Sequence, residues 1–172
     1  GKIFDPSSEQ FGSTPDLTFA LRYGDHPITR NFMLRTLFSN PIALNARGTY
    51  ENGWEVTELI DVAAGGWLER GNEKNPTFEE DQDQPGPLNI AVALKREYGE
   101  VGQRVVVVGN SEFLSNAFIT SGGNLDLGVN LNKVYNAKDA HGKPITSEYS
   151  FHALSRDDHG LLTYTKSNWY SG

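Results

Sequence analysis

The chain has 172 residues, enough for one domain with a real core and short for two. Its formal net charge of −7, with no clustered Lys and Arg, sets aside nucleic-acid binding through a basic face, and no apolar run approaches the roughly 20 residues of a membrane-crossing helix. It has no cysteine, which excludes disulfides, thiolate metal sites and a cysteine nucleophile but suits the cytosol and the bacterial periplasm alike.

In chain order, residues 1–16 are turn-rich and expected to be loosely held; because they begin at Gly1 rather than Met, the chain is expected to be a processed piece of a longer protein. Leu17–Tyr23 predicts a strand and Gly24–Pro27 a turn. Ile28–Phe38 predicts a short helix with Thr29 as its cap, and Pro41–Ala46 a short buried strand. Trp54–Val62 alternates as a strand, and Gly65–Gly71 reads as a loop anchored by Trp67. Residues 72–87, the most polar stretch, predict an exposed loop before a strand over Leu88–Glu97. The short turn at residues 98–102 favours antiparallel pairing of that strand with the next, hence a mixed sheet.

Val105–Val108 runs without a polar break, the pattern of a strand covered on both faces. Gly109 ends it, and Phe113, Leu114, Ala117 and Phe118 recur at helical spacing, predicting a helix over Ser111–Thr120. A second helix is predicted from about Asn124 to Tyr135, then a polar link over 136–147 and two strand-like runs, Glu148–Leu154 and Leu161–Tyr164. A buried strand, a tight turn and a helix point to an α/β fold, a layered mixed β-sheet flanked by helices. They also place Asn110, Ser111 and Glu112 at the carboxyl edge where such sheets bind ligands.

The chemical motifs are incomplete. Gly109–Phe113 compares with the nucleophile elbow G-x-S-x-G, but Phe113 fills the last small position. Against a G-D-S esterase pattern, Asn110 replaces Asp, and Arg156 stands where the Asp of a D-x-x-H would precede His159. The residue types at Ser111 favour helix capping over nucleophilic attack. The acidic run Glu79–Asp83 could meet a hard cation, yet a twelve-residue calcium loop begun at Asp81 ends on Val92, which cannot ligate. His26, His141, His152 and His159 have no metal-ligand spacing, although Asp25 could orient the His26 imidazole. Gly122–Asn124 could cradle an anion at a helix start, but the two glycines suit a tight interhelix turn better. Trp54, Trp67 and Trp169, with Tyr98 and Tyr135, could line a glycan or peptide groove, though single aromatics at strand ends are more often anchors.

Several phrases in order carry a resemblance. They are Tyr23–Thr29 (YGDHPIT), Thr36–Phe38 (TLF), Trp67–Glu69 (WLE), Asp83–Leu88 (DQPGPL), Arg104–Ala117 (RVVVVGNSEFLSNA) and Gly122–Leu127 (GGNLDL). Together they resemble the extracytoplasmic part of the GldG-type, gliding-motility-associated auxiliary domain of ABC transport systems. The resemblance implies a flavodoxin-like or class I glutamine-amidotransferase-like α/β fold, no catalytic residues, and a place on the periplasmic side of the inner membrane. It also implies membrane tethering in the full-length protein, with ABC permease and ATPase subunits as partners. Asn110 stands where the family often has Asp, and Asn136–Gly172 is polar where relatives run toward a membrane helix.

The expectation is therefore a non-enzymatic auxiliary domain with no cofactor, no metal and no nucleic-acid partner. Its surface would be formed by Asp25, His26, Asn110, Ser111, Glu112, Asn116 and Asn124. The alternatives are a serine hydrolase using Ser111 with His26 or His159, and a binding module using Trp54 or Trp67.

Overall fold

The computed structural model describes residues 1–20, 22–46, 53–99, 101–135, 149–156 and 162–167. Its elements are β1 (Lys2–Phe4), β2 (Leu17–Ala20), β3 (Arg22–Tyr23), β4 (Thr36–Ser39), β5 (Glu55–Val62), β6 (Trp67–Glu69), β7 (Gln84–Pro85), β8 (Leu88–Tyr98), β9 (Val101–Val108), α1 (Asn124–Tyr135), β10 (Tyr149–Arg156) and β11 (Leu162–Ser167). A 3-10 helix, Pro6–Phe11, links β1 to β2. The main sheet has the order β11-β10-β9-β8-β5-β3, and smaller sheets pair β1-β6-β7 and β2-β4.

In the main sheet β9 and β10 run parallel, while the other described pairs run antiparallel. Parallel neighbours need a long crossover, and α1 lies in that connection. The β8–β9 hairpin keeps continuous register from Ala91↔Val108 to Tyr98↔Val101, as the short turn predicted. That register puts Ala91, Ala93, Val106 and Val108 on one face, and all four are buried in one cluster with Leu127 and Leu131 of α1. Phe38 and Phe113 are also in this cluster, their ring centroids 5.5 Å apart.

The expected α/β fold, with helices flanking a layered sheet in a flavodoxin-like or glutamine-amidotransferase-like arrangement, is corrected. Among the described residues strand is the predominant regular structure, and there is a single α-helix. Three local readings account for the difference. Val106 and Val108 are buried, but Val105 and Val107 are only half-buried, so the valine run alternates rather than being sealed on both faces. The predicted helix over 111–120 is instead a chain of tight turns, such as Ser115 N to Glu112 O and Phe118 N to Ser115 O. The carbonyls of Phe113 and Phe118 accept from the Asn124 side chain rather than from a continuing helix. The predicted helix over 28–38 makes one turn, closed by Thr29 N and Arg30 N on His26 O, and then Asn31 takes a φ of 61°. That left-handed residue ends the turn, and the chain leaves it to form β4.

Other expectations move less. Residues 1–16, expected to be loose, carry β1 and the 3-10 helix, and Ile3, Phe4 and Asp5 are buried. The Gly65–Gly71 loop contains β6. Residues 41–46 form no regular strand but run bonded to the main sheet, through Ile42 N to Gly109 O at 2.6 Å and Leu44 N to Asn89 O at 2.8 Å. Gly109 sits at that crossing; a Cβ there would collide with the Ile42 carbonyl oxygen. The link over 136–147 lies outside the described residues.

Phe38 has no exposed surface and fills the space between β4 and the 113–118 turns. Phe38→Ala is expected to lower stability by about 3–5 kcal/mol through lost burial and a residual cavity. A urea titration should show a lower midpoint at unchanged slope.

Candidate functional site

Asn110 follows β9 as a buried bracket rather than a displayed group. Its Oδ1 accepts from Glu112 N at 3.0 Å and Phe113 N at 2.8 Å, and its Nδ2 donates to Ser39 O at 2.5 Å. The carboxamide therefore shapes the turn and ties it to the end of β4. Asn124, fully buried, does the same from the other side. Its Oδ1 accepts from Leu37 N at 2.9 Å, while its Nδ2 faces the carbonyls of Leu37, Phe113 and Phe118, each at 3.0 Å. Ser111 is half-buried between these brackets, and Glu112 and Asn116 are exposed. Among the expected surface residues, Asn110 and Asn124 are thus brought together as framework.

Asp25 and His26 lie on a different loop. Gly24 passes so close to the Glu58 carbonyl of β5 that no Cβ would fit, and its N–H donates to Leu59 O at 2.9 Å. The loop then folds on itself. Thr29 Oγ1 donates to Gly24 O at 2.6 Å, Ile28 N donates to His26 Nδ1 at 3.3 Å, and Arg30 Nε donates to the Asp25 carboxylate at 3.0 Å. The Tyr23 hydroxyl reaches Leu34 O at 2.7 Å and Thr36 Oγ1 at 2.9 Å, and Phe32 packs edge-on against the Tyr23 ring. Burial raises the Tyr23 phenol above its usual range, so it remains a neutral clasp. Asn130 Nδ2 joins α1 to this loop through Ile28 O at 3.2 Å. Between these side chains lies an open hollow of about 490 Å³, lined by residues that include Arg22, Asp25, Arg30 and Asn31. Arg30 and Asp25 are both largely exposed, so their ion pair adds little stability.

Among the described residues, no hydrogen bond or ion pair joins Asp25 or His26 to Asn110, Ser111 or Glu112. His26 Nδ1 faces its own turn, and His159, the other base considered for Ser111, lies outside the described residues. The Asp83 carboxylate accepts from Arg70 N and Glu79 N at 2.8 Å each, so it pins the polar loop through its backbone. Among the described residues no group of three His, Asp or Glu side chains could hold a metal ion. Trp54 lies under the Arg96 guanidinium at 4.5 Å. Trp67 packs on Phe4 and Phe78, and its Nε1 donates to Glu69. Trp54 immediately precedes β5 of the main sheet, Trp67 lies on β6 of the β1-β6-β7 sheet, and Trp169 lies outside the described residues.

The sequence reading missed the residues between Asn31 and Arg35. Met33 is 92% exposed and Leu34 48%, an unusual display for large apolar side chains. Their signal was present as two adjacent apolar residues flanked by Arg30 and Arg35, but the helix predicted there absorbed it. No helix among the described residues is long and apolar enough to cross a membrane. The chain matches no family model, no curated protein and no solved structure.

Two measurements probe these placements. Asn124→Ala leaves Leu37 N–H and the Leu37 and Phe113 carbonyls without this partner, while Phe118 O keeps Ser121 N; a loss of at least ~2 kcal/mol in denaturant unfolding is expected from the orphaned groups. His26 is held below its usual range, first by burial, then by Lys95 and Arg30, with Asp25 opposing and Arg104 adding a little. The unfolded chain therefore binds that proton more readily. Stability from neutral His26 is complete above the unfolded value of about 6.5 and is lost as pH falls through the folded value. Unfolding midpoints of wild type should decline on acidification below about pH 6.5, and those of His26→Gln should decline less.

Proposed function

We propose that this chain is a non-enzymatic, extracytoplasmic auxiliary domain of a membrane ABC-type transport system of the gliding-motility kind. It would be tethered to the membrane in the full-length protein and contact the permease and ATPase subunits. The observation that supports this reading is the way the resembling phrases converge. Asn124, from GGNLDL, bonds to Leu37 of TLF and to Phe113 of the valine phrase. Asn110, from the valine phrase, bonds to Ser39, one residue beyond TLF. Asn130, on the helix that GGNLDL begins, bonds to Ile28 of YGDHPIT. Four of the six phrases, only ordered in the sequence, become one bonded unit, as expected of a framework inherited together. At the turn, Asn110 Oδ1 already takes the Glu112 and Phe113 N–H groups that an oxyanion pocket would need free, and His26 Nδ1 accepts from Ile28 N of its own loop, which favours an interaction role over catalysis.

Topology-reporter fusions of the full-length gene, placed within this segment, should report an extracytoplasmic position. Affinity capture from solubilised membranes should bring down a permease or ATPase subunit. A cytoplasmic reporter signal would remove the proposal. Separately, a fluorophosphonate probe should leave the folded protein unlabelled; labelling abolished by Ser111→Ala would replace this reading with a serine hydrolase.

A further inference from the structure

The loop between β3 and β4 displays what most of the chain hides. Met33 is 92% exposed, so its thioether packs on almost nothing of its own chain. Leu34, 48% exposed, rests its Cβ against Gly123 at the start of α1. The outward side of that helix carries Leu125 and Val129, one turn apart and 52% and 42% exposed. Charge gathers at the same place. Arg22, Arg30 and Arg35 are all exposed, and Asp25 is the one acid between positions 22 and 35, a balance of +2 along this segment on a chain of −7; in the β3–β5 register Arg22 stands opposite Asp61. Asp25 engages Arg30, and the Arg35 guanidinium lies 4.1 Å from the Phe11 ring centre, which leaves its charge intact. Arg22 and Arg30 line the open hollow described above.

We infer that this loop docks on an anionic phospholipid surface, with Met33 and Leu34 entering the acyl boundary and the arginine-lined hollow taking a lipid phosphate. Charge complementarity selects the occupant. An apolar tip between arginines matches the two layers of a bilayer surface, apolar below and anionic above, and long Arg side chains reach from one to the other. A folded acidic partner would meet the same charge, but Met33 and Leu34 form a tip, which a deformable apolar medium accommodates without a preformed pocket. The inference stands on these side chains alone and does not depend on the transport reading.

The test is co-sedimentation of the purified chain with vesicles. Binding is expected to vesicles of phosphatidylcholine mixed with phosphatidylglycerol, to be weak on phosphatidylcholine alone, and to fall with added salt as the Debye length contracts. Met33→Asp should lose most of the binding. Arg22→Gln and Arg30→Gln should each weaken it by about fivefold, the share of one basic residue near an anionic surface. Met33 is exposed enough that its variant should unfold at the wild-type denaturant midpoint, which separates lost docking from lost folding. Wild-type levels of sedimentation by Met33→Asp, or no preference for anionic vesicles, would overturn the inference. Competition by inorganic phosphate at matched ionic strength, with Met33→Asp still bound, would make the hollow a free-phosphate site and also overturn it. Capture of an acidic amphipathic peptide without vesicle binding would reassign the surface to a protein partner.

Discussion

Asn124 supplies backbone-like pairing where the backbone has turned away. β4 pairs along one edge with β2, and along the other the chain from Gly122 approaches antiparallel, with a bridge between Thr36 and Gly122 and a bond from Gly123 N to Arg35 O at 2.8 Å. At Asn124 the main chain departs into α1, and Leu37 would lose its partner. The side-chain amide takes over, accepting from Leu37 N and donating to Leu37 O as the next peptide of a strand would. Its remaining donor capacity reaches the carbonyls of Phe113 and Phe118. Asp could accept but not donate, Ser has one proton, and Gln is a methylene too long for the same position. One residue thus sets the distance between β4, the turns after β9 and the start of α1. The packing of Phe38 on Phe113 follows from that spacing.

Periodic segments were legible in the sequence. The β8–β9 hairpin, β5, α1 and the paired strands of the tail follow from alternation, turn length or helical spacing, each of which operates within a local window. The failures share one cause. Phe113, Leu114, Ala117 and Phe118 have helical spacing, yet the carbonyls that would sustain a helix are taken by an amide 6 to 11 residues further on. A window around residue 115 holds no trace of that competition. Ile28–Phe38 likewise has apolar periodicity, but the hydroxyl of Thr29 bonds back to Gly24 rather than capping forward, and Asn31 reverses the chain. With two helices lost, the layered α/β expectation went with them.

The candidate site was misread for a related reason. A polar residue after a buried strand suggests a displayed group, whereas Asn110 and Asn124 are among the most buried polar groups described. Polarity in a sequence does not distinguish a side chain that waits for a ligand from one that completes the backbone. The acidic balance divides in the same way. Asp5, Glu69 and Asp83 are buried and accept from nearby backbone N–H groups, so part of the −7 is structural rather than a field directed at partners.

This division bears on how far the resemblance can reach. The phrases that carry it lie largely on the bonded framework: Tyr23–Thr29 closes its own turn, Thr36–Phe38 is held by Asn124, and the valine phrase brackets itself through Asn110. Residues serving closure constrain how a chain folds on itself and leave its partners unspecified. Residues 30–35 fall in the gap between the first two phrases, and there the fold exposes Met33 and Leu34 beside Arg30 and Arg35. Burial cannot account for Met33, and Leu34, whose Cβ lies against Gly123 just before α1, is still 48% exposed. The information particular to this chain therefore sits in a loop that the framework positions but does not use.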